Sequence, residues 1–178
     1  GMSYSDRGSS NANSAIIVSV TPEDFNGNDA LCGVRFQRDL EAKAYALGNG
    51  KIPQQLFKDY CDNKASTGYG DFSSETKGAN TFTNLRGLLT KDMEQSFIDG
   101  MHSFARHIPG FDRDDAILSG IESRTSSPIR MNRDKTFQSN ISGIYPCGEG
   151  AGYAGGITSA AMDGMKVAEA IIQKYQAF

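Results

Sequence analysis

The sequence CGEGAGYAGG, residues Cys147–Gly156, holds five of the chain's 20 glycines within ten residues. Gly150, Gly152 and Gly155 have the spacing G-x-G-x-x-G. A glycine-rich turn that leads into a helix can hold an anion, because glycine lets the backbone come close and the first helical amides have no partner within the helix. The stretch therefore predicts a tight turn before a helix. Its two alternative roles are an anion site and simple packing against a neighbour.

The flanking segments fit an order of strand, turn and helix. Ile141–Cys147 (ISGIYPC) is predicted to be a strand. From Ile157 to Tyr175, apolar residues recur at i, i+3, i+4 and i+7 with charged residues opposite, which predicts an amphipathic helix. The small residues of this helix would allow close packing on a sheet.

The position of the motif argues against the first nucleotide-binding loop of a Rossmann fold. That loop belongs to a complete βαβ unit, with an acid about 20 residues further on that binds the ribose. Of the 178 residues, only 22 follow Gly156, and they are predicted to be helical to the end. Glu169 is at about the right distance but lies on the polar face of that helix, so it cannot be the ribose-binding acid.

Length and charge narrow the class of protein. A chain of 178 residues suggests one domain, or one and part of another. With 18 basic and 21 acidic residues, a formal net charge of -3 and no block of like charge, neither a nucleic-acid nor a membrane surface is indicated. The start lacks the apolar core of a signal peptide, and no apolar run approaches the length needed to cross a bilayer.

Cysteines and histidines indicate no metal site. The three cysteines are never in C-x-x-C spacing, so neither a disulfide framework nor a zinc site is predicted, and a reducing cytoplasm fits. Cys147 is expected to be a small buried apolar residue. His102 and His107 are five residues apart on a predicted helix, about 140° around its axis, so they cannot share a metal.

Two further helices are predicted upstream. One spans Val34–Leu47, where apolar residues recur at helical spacing among charged ones, and Gly48 closes it. The other begins after Thr90, which can cap it, and ends before Pro109-Gly110. Its apolar positions are Met93, Phe97, Met101 and Phe104.

The remaining segments are shorter and more ambiguous. Ser14–Val20 (SAIIVSV) is predicted to be a buried strand, and Ala116–Met131 to form two short extended pieces. Residues 52–61 fit a helix or a strand equally well. Residues 63–84 are predicted to be a long surface loop, anchored by Tyr69, Phe72 and Phe82. Together these elements predict a mixed α+β fold.

With its flanks, the glycine stretch reads GIYPCGEGAGYAGGITSAAMDGMKVAEAI, residues 143–171. This segment resembles the closing FAD-contact motif of two-dinucleotide-domain flavoproteins, and specifically a family of bacterial FAD-dependent dehydrogenases with undefined substrates. In that superfamily the chain returns to its FAD-binding domain at its end. It does so as an apolar strand, a Gly-Asp or Gly-Glu pair, and a helix whose N-terminus faces the flavin.

The resemblance implies a set of cofactor contacts. Gly148-Glu149 would be the Gly-Glu pair, with Glu149 bonded to the ribityl chain, and Gly150 to Thr158 would line the flavin and pyrophosphate with backbone N–H groups. The implied cofactor-binding residues are Gly148, Glu149, Gly150, Ala151, Gly152, Gly155, Gly156, Ile157 and Thr158. The resemblance also implies that Arg124, Ser126, Ser127 and Arg130 lie near the flavin or substrate; the alternative is a solvated edge.

The resemblance extends to residues 1–20, GMSYSDRGSSNANSAIIVSV, and to residues 119–157, beginning SGIESRTSSPIRM. The family's first half, with its own glycine-rich fingerprint, has no counterpart, so the chain is expected to be an incomplete, C-terminal part of a longer flavoenzyme. The implied domains are a polar lead-in over 1–13, a substrate or cap domain over 14–113, and the C-terminal return segment of a Rossmann-like FAD-binding domain over 114–178.

The implied function is FAD-dependent oxidoreduction in the parent protein, with hydride passing between a substrate and NAD(P) or another acceptor. No catalytic acid or base is assigned, and the chain alone is expected to be inactive. Its expected partners are the missing N-terminal FAD-binding half and a small-molecule substrate, and the chain is expected to self-associate. The alternatives are a stand-alone phosphate- or nucleotide-binding module without catalysis and a purely structural domain.

Overall fold

A computed structural model describes residues 5–175 and has the mixed α+β fold that the sequence predicts. A 3₁₀ turn at Pro22–Asp24 precedes the first helix. The helices are α1 (Cys32–Leu47), α2 (Phe57–Cys61), α3 (Lys91–Ala105) and α4 (Ile157–Tyr175). The strands are β1 (Ile52–Leu56), β2 (Asn80–Phe82) and β3 (Ile117–Ser119).

The described chain divides into two compact units. The first comprises the described residues up to Thr21 together with Arg38–Glu122, and the second comprises Pro22–Gln37 and the described residues from Ser123 onward. The three strands, α2 and α3 belong to the first unit, and α4 belongs to the second. Helix α1 contributes residues to both. The assignment of residues 14–113 to a substrate domain and of 114–178 to an FAD-binding domain stays a prediction.

The strands form one mixed sheet in the order β2-β1-β3. Strand β1 is parallel to β2, with Gln54 opposite Phe82, and antiparallel to β3, with Gln54 opposite Ser119. Because β1 has a neighbour on each side, both edges of its backbone are paired. Gln54 and Gln55 are each 0% exposed.

Residues 52–61, which the sequence leaves undecided between helix and strand, contain one of each. Strand β1 ends at Leu56 and α2 begins at Phe57. The first amides of α2 bond to the chain before β3, since Phe57 N donates to Ala116 O (2.9 Å) and Lys58 N to Asp114 O (3.0 Å). Leu56 supplies no side-chain cap. The switch therefore carries no local capping signal in the sequence.

The two buried glutamines of β1 hold the long connection from β1 to β2. Gln54 lies 2.8–3.0 Å from the hydroxyl groups of Ser74, Thr76, Ser119 and Tyr69. Gln55 bonds at 2.6–3.1 Å to Lys64 O, Asn84 Oδ1 and Leu85 N. The predicted surface loop over 63–84 is therefore tied to the sheet by hydrogen bonds, and it also contains β2.

The predicted helices α1 and α3 are confirmed, and they contribute to the core of the first unit. Thr90 caps α3 as expected, because its Oγ1 accepts a hydrogen bond from Met93 N (3.3 Å). The core cluster consists of Ala44, Tyr60, Leu85 and Leu88, with Phe97, Ile98, Leu118 and Ile121 packed against it.

Three predicted strands are wrong. Ser14–Val20, the second piece of Ala116–Met131 and Ile141–Cys147 have no regular strand structure. Ser14–Val20 was also predicted to be buried, but Ile17 is 66% and Val20 is 42% exposed. Apolar and β-branched residues favour an extended backbone, but a strand forms only where a neighbour completes the hydrogen-bond ladder. These segments have no such neighbour among residues 5–175.

Helix α4 is confirmed over its predicted length. Val167 is its buried residue, whereas Ile157, Met162, Met165 and Ile172 are more than half exposed. A broad apolar side of α4 therefore faces solvent. Within residues 5–175, no helix combines the length and the apolar character that crossing a membrane requires.

The turn between α1 and β1 predicts a strong effect of one added methyl group. A Cβ at Gly48 would lie 2.0 Å from Lys51 O and 3.1 Å from Pro53 Cδ. We expect Gly48→Ala to lower the free energy of unfolding, measured by urea denaturation, by about 1–3 kcal/mol. Gly100→Ala in α3 is the control, because nothing lies within 4 Å of its added Cβ. It should raise the free energy of unfolding by up to about 1 kcal/mol. If Gly48→Ala and Gly100→Ala changed the free energy of unfolding equally, crowding at Gly48 would not be what requires glycine there.

Candidate functional site

The glycine-rich turn lies directly before α4, and we call residues 148–156 the glycine loop. The loop folds on itself, since Gly152 N donates to Glu149 O (2.8 Å) and Tyr153 N donates to Gly148 O (3.0 Å). The predicted strand before it is replaced by turns. Gly143 has a φ of +84° and Ile144 N donates to Ile141 O (3.2 Å), so the chain reverses where an extended strand was expected.

The glycines of the loop fall into two physical classes. Gly148 and Gly152 have φ angles of +69° and +82°, which favour glycine. Gly152 is also sterically fixed, because a Cβ there would lie 2.5 Å from Ile129 O. Gly150 and Gly155, in contrast, have no positive φ, and an added Cβ at either would meet no atom closer than 3.7 Å. The internal structure of the chain therefore explains the first pair of glycines and leaves the second pair open to an external partner.

A largely buried ion pair fixes the loop to α4. Arg133 Nη1 and Nη2 donate to Asp163 Oδ2 and Oδ1 at 2.9 and 2.6 Å, and the two side chains are 9% and 13% exposed. Asp163 Oδ2 also accepts Gly148 N (2.9 Å), and Arg133 Nη1 donates to Pro146 O (2.8 Å). One carboxylate thus connects the entrance of the glycine loop, residue 133 and the second turn of α4.

The electrostatics of this pair follow from its hydrogen bonds. Donation from Arg133, followed by the backbone amide of Gly148, lowers the pKa of Asp163 to about 2, against the opposing effect of burial. The same contact raises the pKa of Arg133. Both groups are therefore charged at neutral pH, and the carboxylate is available as an acceptor for the loop.

The segment with the predicted serines and arginines runs beside the loop. Ser127 Oγ donates to Gly150 O (3.1 Å) and Met131 N donates to Ala151 O (3.1 Å). Ser126 Oγ lies 3.7 Å from the position of a Cβ at Gly155. Three of the four predicted residues, Ser126, Ser127 and Arg130, are therefore at the loop, and Arg124 is exposed further back in the same segment.

Helix α4 presents its N-terminus directly after the loop. Ala160 N donates to Gly156 O (2.9 Å), which begins the helical ladder, and Gly156 N donates to Ser159 Oγ (3.1 Å). The amides of Ile157 and Thr158 precede the first helical hydrogen bond, and both residues are exposed. This end of the helix carries partial positive charge.

The other predicted residues occupy contrasting surroundings. Glu149 is exposed, so its carboxylate is accessible from solvent. Ala151 is 5% exposed, so its side chain packs inside the unit. Cys147 was expected to be buried, but it is exposed. The backbone on either side of it is bonded, because Pro146 O accepts a hydrogen bond from Arg133 and Gly148 N donates one to Asp163.

Sequence reasoning missed the ion pair and also the contact of Arg133 with the aromatic ring of Tyr153, whose centroid lies 3.6 Å from Arg133 Cζ. Arg133 belongs to a run that reads as a polar turn, and Asp163 reads as part of the polar face of α4. A usable signal existed for Asp163, because it precedes the buried Val167 by four residues and so shares its side of the helix. No local pattern predicts that Arg133 reaches Asp163.

The described residues fit the phosphate-bearing part of a dinucleotide. Two glycines leave room where side chains would stand, and the first amides of α4 are directed out of the helix. The loop's one acidic residue is Glu149. In contrast, no group of three or more His, Cys, Asp or Glu residues within 5–175 has an arrangement that could hold a metal ion.

Comparison with known proteins identifies the family. Residues 1–125 match the family described as "FAD-dependent protein, C-terminal domain-like". The chain belongs to this C-terminal domain-like family of FAD-dependent proteins. It is also 47% identical over 178 residues to an uncharacterized protein of Clostridium beijerinckii, an alignment that covers 98% of the chain and 33% of that protein. The chain thus spans about a third of the length of this relative.

The family match and the glycine loop occupy different parts of the chain. The match ends at residue 125, whereas the loop begins at Gly148. The family match therefore supports the view that the chain is part of an FAD-dependent protein. It does not include the glycine loop, so any contact between the loop and the cofactor has to be argued from the geometry of the loop.

The Asp163 carboxylate predicts acid sensitivity of the second unit. Its folded-state pKa of about 2 lies below the ordinary 3.8, so its stabilisation is present above about pH 4 and is lost as the pH falls toward 2. We expect Asp163→Asn to lower the free energy of unfolding at neutral pH by about 2 kcal/mol and to flatten its dependence on pH between about 2 and 5. Unfolding can be followed by circular dichroism.

Glu169→Gln is the matched control for this prediction, because Glu169 is an exposed acid on the same helix. It removes the same charge and should leave both the stability and the pH profile nearly unchanged. An Asp163→Asn protein with an unaltered acid transition would show that the ion pair does not fix the loop.

Proposed function

We propose that the chain is the C-terminal portion of a longer FAD-dependent oxidoreductase, and that its glycine loop and the N-terminus of α4 complete the flavin-nucleotide site. The observation that carries the proposal is the pair Gly150 and Gly155. Neither a positive φ nor internal crowding requires glycine at either position, both residues are exposed, and Gly155 lies two residues before the first residue of α4. Close approach of a ligand to the backbone is the physical reason that accounts for such glycines.

The roles of the loop residues divide according to which amides are already bonded. Gly148 N donates to Asp163 and Gly152 N donates to Glu149 O, so these two residues shape the loop. The side chain of Ala151 supports the loop from the interior. The residues that would face the cofactor are Gly150, Gly155, Gly156, Ile157 and Thr158, with Glu149 beside them as the acceptor for the ribityl hydroxyl groups.

When bound, the flavin supplies hydride transfer between a small-molecule substrate and an acceptor, for which NAD(P) is one candidate. The residues of this chain bind and orient the cofactor, and we assign none of them as a catalytic acid or base. Ser126, Ser127 and Arg130 would form the side of the site next to the glycine loop, with Arg124 further back. A cytoplasmic location stays a prediction.

The first partner that we propose is an N-terminal half of the same protein. The length of the Clostridium relative supports it, because the chain aligns with only 33% of that protein. The exposed apolar side of α4 also supports it. Met162, Met165 and Ile172 would be covered by the sheet of the preceding FAD-binding domain.

The cofactor proposal predicts different behaviour for the chain and for the longer protein, in which the proposed N-terminal half precedes it. The chain alone should show no saturable binding of FAD at submicromolar concentration in a fluorescence titration, because it lacks the contacts to the adenosine. The longer protein should bind FAD. In it, Gly150→Ala and Gly155→Ala should weaken FAD binding roughly tenfold, equivalent to about 1.4 kcal/mol, because each Cβ enters the ligand's space.

Gly100→Ala is the control for this titration. All three added methyl groups have room within the chain, so thermal unfolding of the apoprotein should not reveal damage at position 150 or 155. If Gly150→Ala and Gly155→Ala bind FAD as tightly as Gly100→Ala, the glycine loop does not contact the cofactor. Submicromolar binding of FAD by the chain alone would point to a self-sufficient nucleotide-binding module.

The exposed side of α4 predicts that the chain alone self-associates. Light scattering after gel filtration should give a mass that rises with concentration, because association removes apolar surface from water. Met165→Lys should shift the chain toward monomer, since Met165 is 64% exposed. Lys166→Gln, also exposed, is the control. A monomer at all concentrations that binds no hydrophobic dye would contradict the proposed partner surface.

A further inference from the structure

Two arginines contact one aromatic ring of the glycine loop. The guanidinium carbon Cζ of Arg133 lies 3.6 Å from the ring centroid of Tyr153, and Cζ of Arg130 lies 4.4 Å from it. Both distances are well within the range of a cation–π contact. The ring itself is held in place, because Tyr153 OH donates to Met131 O (3.0 Å).

The two arginines differ in what else they bind. Arg133 is largely buried and uses its guanidinium nitrogens on Asp163 and Pro146 O. Arg130 is exposed, and among residues 5–175 its guanidinium takes part in no hydrogen bond or ion pair. Arg133 therefore has a structural task, whereas Arg130 keeps its donors for a partner outside the described chain.

The backbone at Arg130 is rigidly attached to the loop. The next residue, Met131, donates its amide to Ala151 O (3.1 Å). The backbone of residues 129–130 also approaches Gly152 closely. This approach requires glycine, because a Cβ at position 152 would lie 3.1 Å from Arg130 Cα and 2.5 Å from Ile129 O. Arg130 thus has a fixed backbone and a side chain ordered by stacking.

We propose that Arg130 is a specificity-determining residue that binds an anionic oxygen group, a carboxylate or a phosphate, of a molecule seated at the glycine loop. A guanidinium is always charged, and its planar fork of N–H donors matches two oxygens of such a group. Stacking on Tyr153 orders the side chain before binding, so less conformational freedom is lost when the anion arrives. The two sources of this chemistry are a substrate carboxylate and a nucleotide phosphate.

This inference rests on the proposed function for the location of the ligand, but its test needs no flavin. The test uses the chain labelled with ¹⁵N and follows the Nε–Hε signal of Arg130 by NMR. Succinate is the carboxylate probe, ADP is the phosphate probe, and succinamide and adenosine are their uncharged counterparts. We expect saturable movement of the Arg130 signal with one or both anions in the millimolar range, and none with the uncharged compounds.

Substitutions separate a specific site from general attraction to positive charge. Arg130→Gln should weaken the binding of the preferred anion roughly tenfold, and Arg130→Lys should also weaken it, because an ammonium group lacks the planar fork. Lys135→Gln is the matched control: it removes the same charge from an exposed position five residues away. It should change the affinity by less than about twofold. Unchanged amide spectra would establish that each variant is folded.

The two probes distinguish the source of the anion. Tighter binding of succinate would assign Arg130 to the substrate side, and tighter binding of ADP would assign it to the nucleotide. The inference fails if neither anion moves the Arg130 signal saturably, or if Lys135→Gln weakens binding as much as Arg130→Gln. Loss of FAD binding in Gly150→Ala together with no anion effect at Arg130 would overturn this inference alone. An anion site at Arg130 in a longer protein that does not bind FAD would overturn the proposed function alone.

Discussion

The carboxylate of Asp163 is the point to which the candidate site is attached. It accepts hydrogen bonds from Nη1 and Nη2 of Arg133 and from the backbone amide of Gly148. The start of the glycine loop is therefore held in place against α4. The guanidinium of Arg133 also contacts the ring of Tyr153, and the guanidinium of Arg130 contacts the same ring. The pair as a whole brings little net stability compared with two apolar side chains of similar size, because removing both charges from water costs about as much as their attraction returns, whereas loss of Asp163 alone is costly because it leaves Arg133 without its partner. Its contribution is to allow one arrangement of the loop.

The sequence predicted helices better than strands, for a physical reason. A helix satisfies its own hydrogen bonds, so periodicity in Val34–Leu47 and the Thr90 cap were sufficient. A strand needs a neighbour that local sequence does not specify, and this is why Ser14–Val20 and Ile141–Cys147 were misassigned. Polar Gln54 and Gln55 gave no sign of a central strand, since their burial depends on partners far along the chain.

The sequence predicted where the candidate site lies, but not how its residues are held together. Five clustered glycines marked residues 148–156, and the resemblance to flavoproteins agrees with the family to which residues 1–125 belong. What the pattern could not separate is which glycines serve the fold and which serve a ligand. That distinction needs φ angles at Gly148 and Gly152 and the empty space at Gly150 and Gly155.

The order of the sheet has a consequence for how the chain acquires its structure. The central strand is made early, yet Gln54 finds its partner Ser119 only 65 residues later. Closing so long a span is entropically slow, and it delays the sheet relative to the local formation of α1. During synthesis on the ribosome, β1 therefore leaves the exit tunnel without its second edge. During that interval the amide groups of Gln54 and Gln55 can hydrogen-bond to water, which apolar side chains at the same two positions could not do.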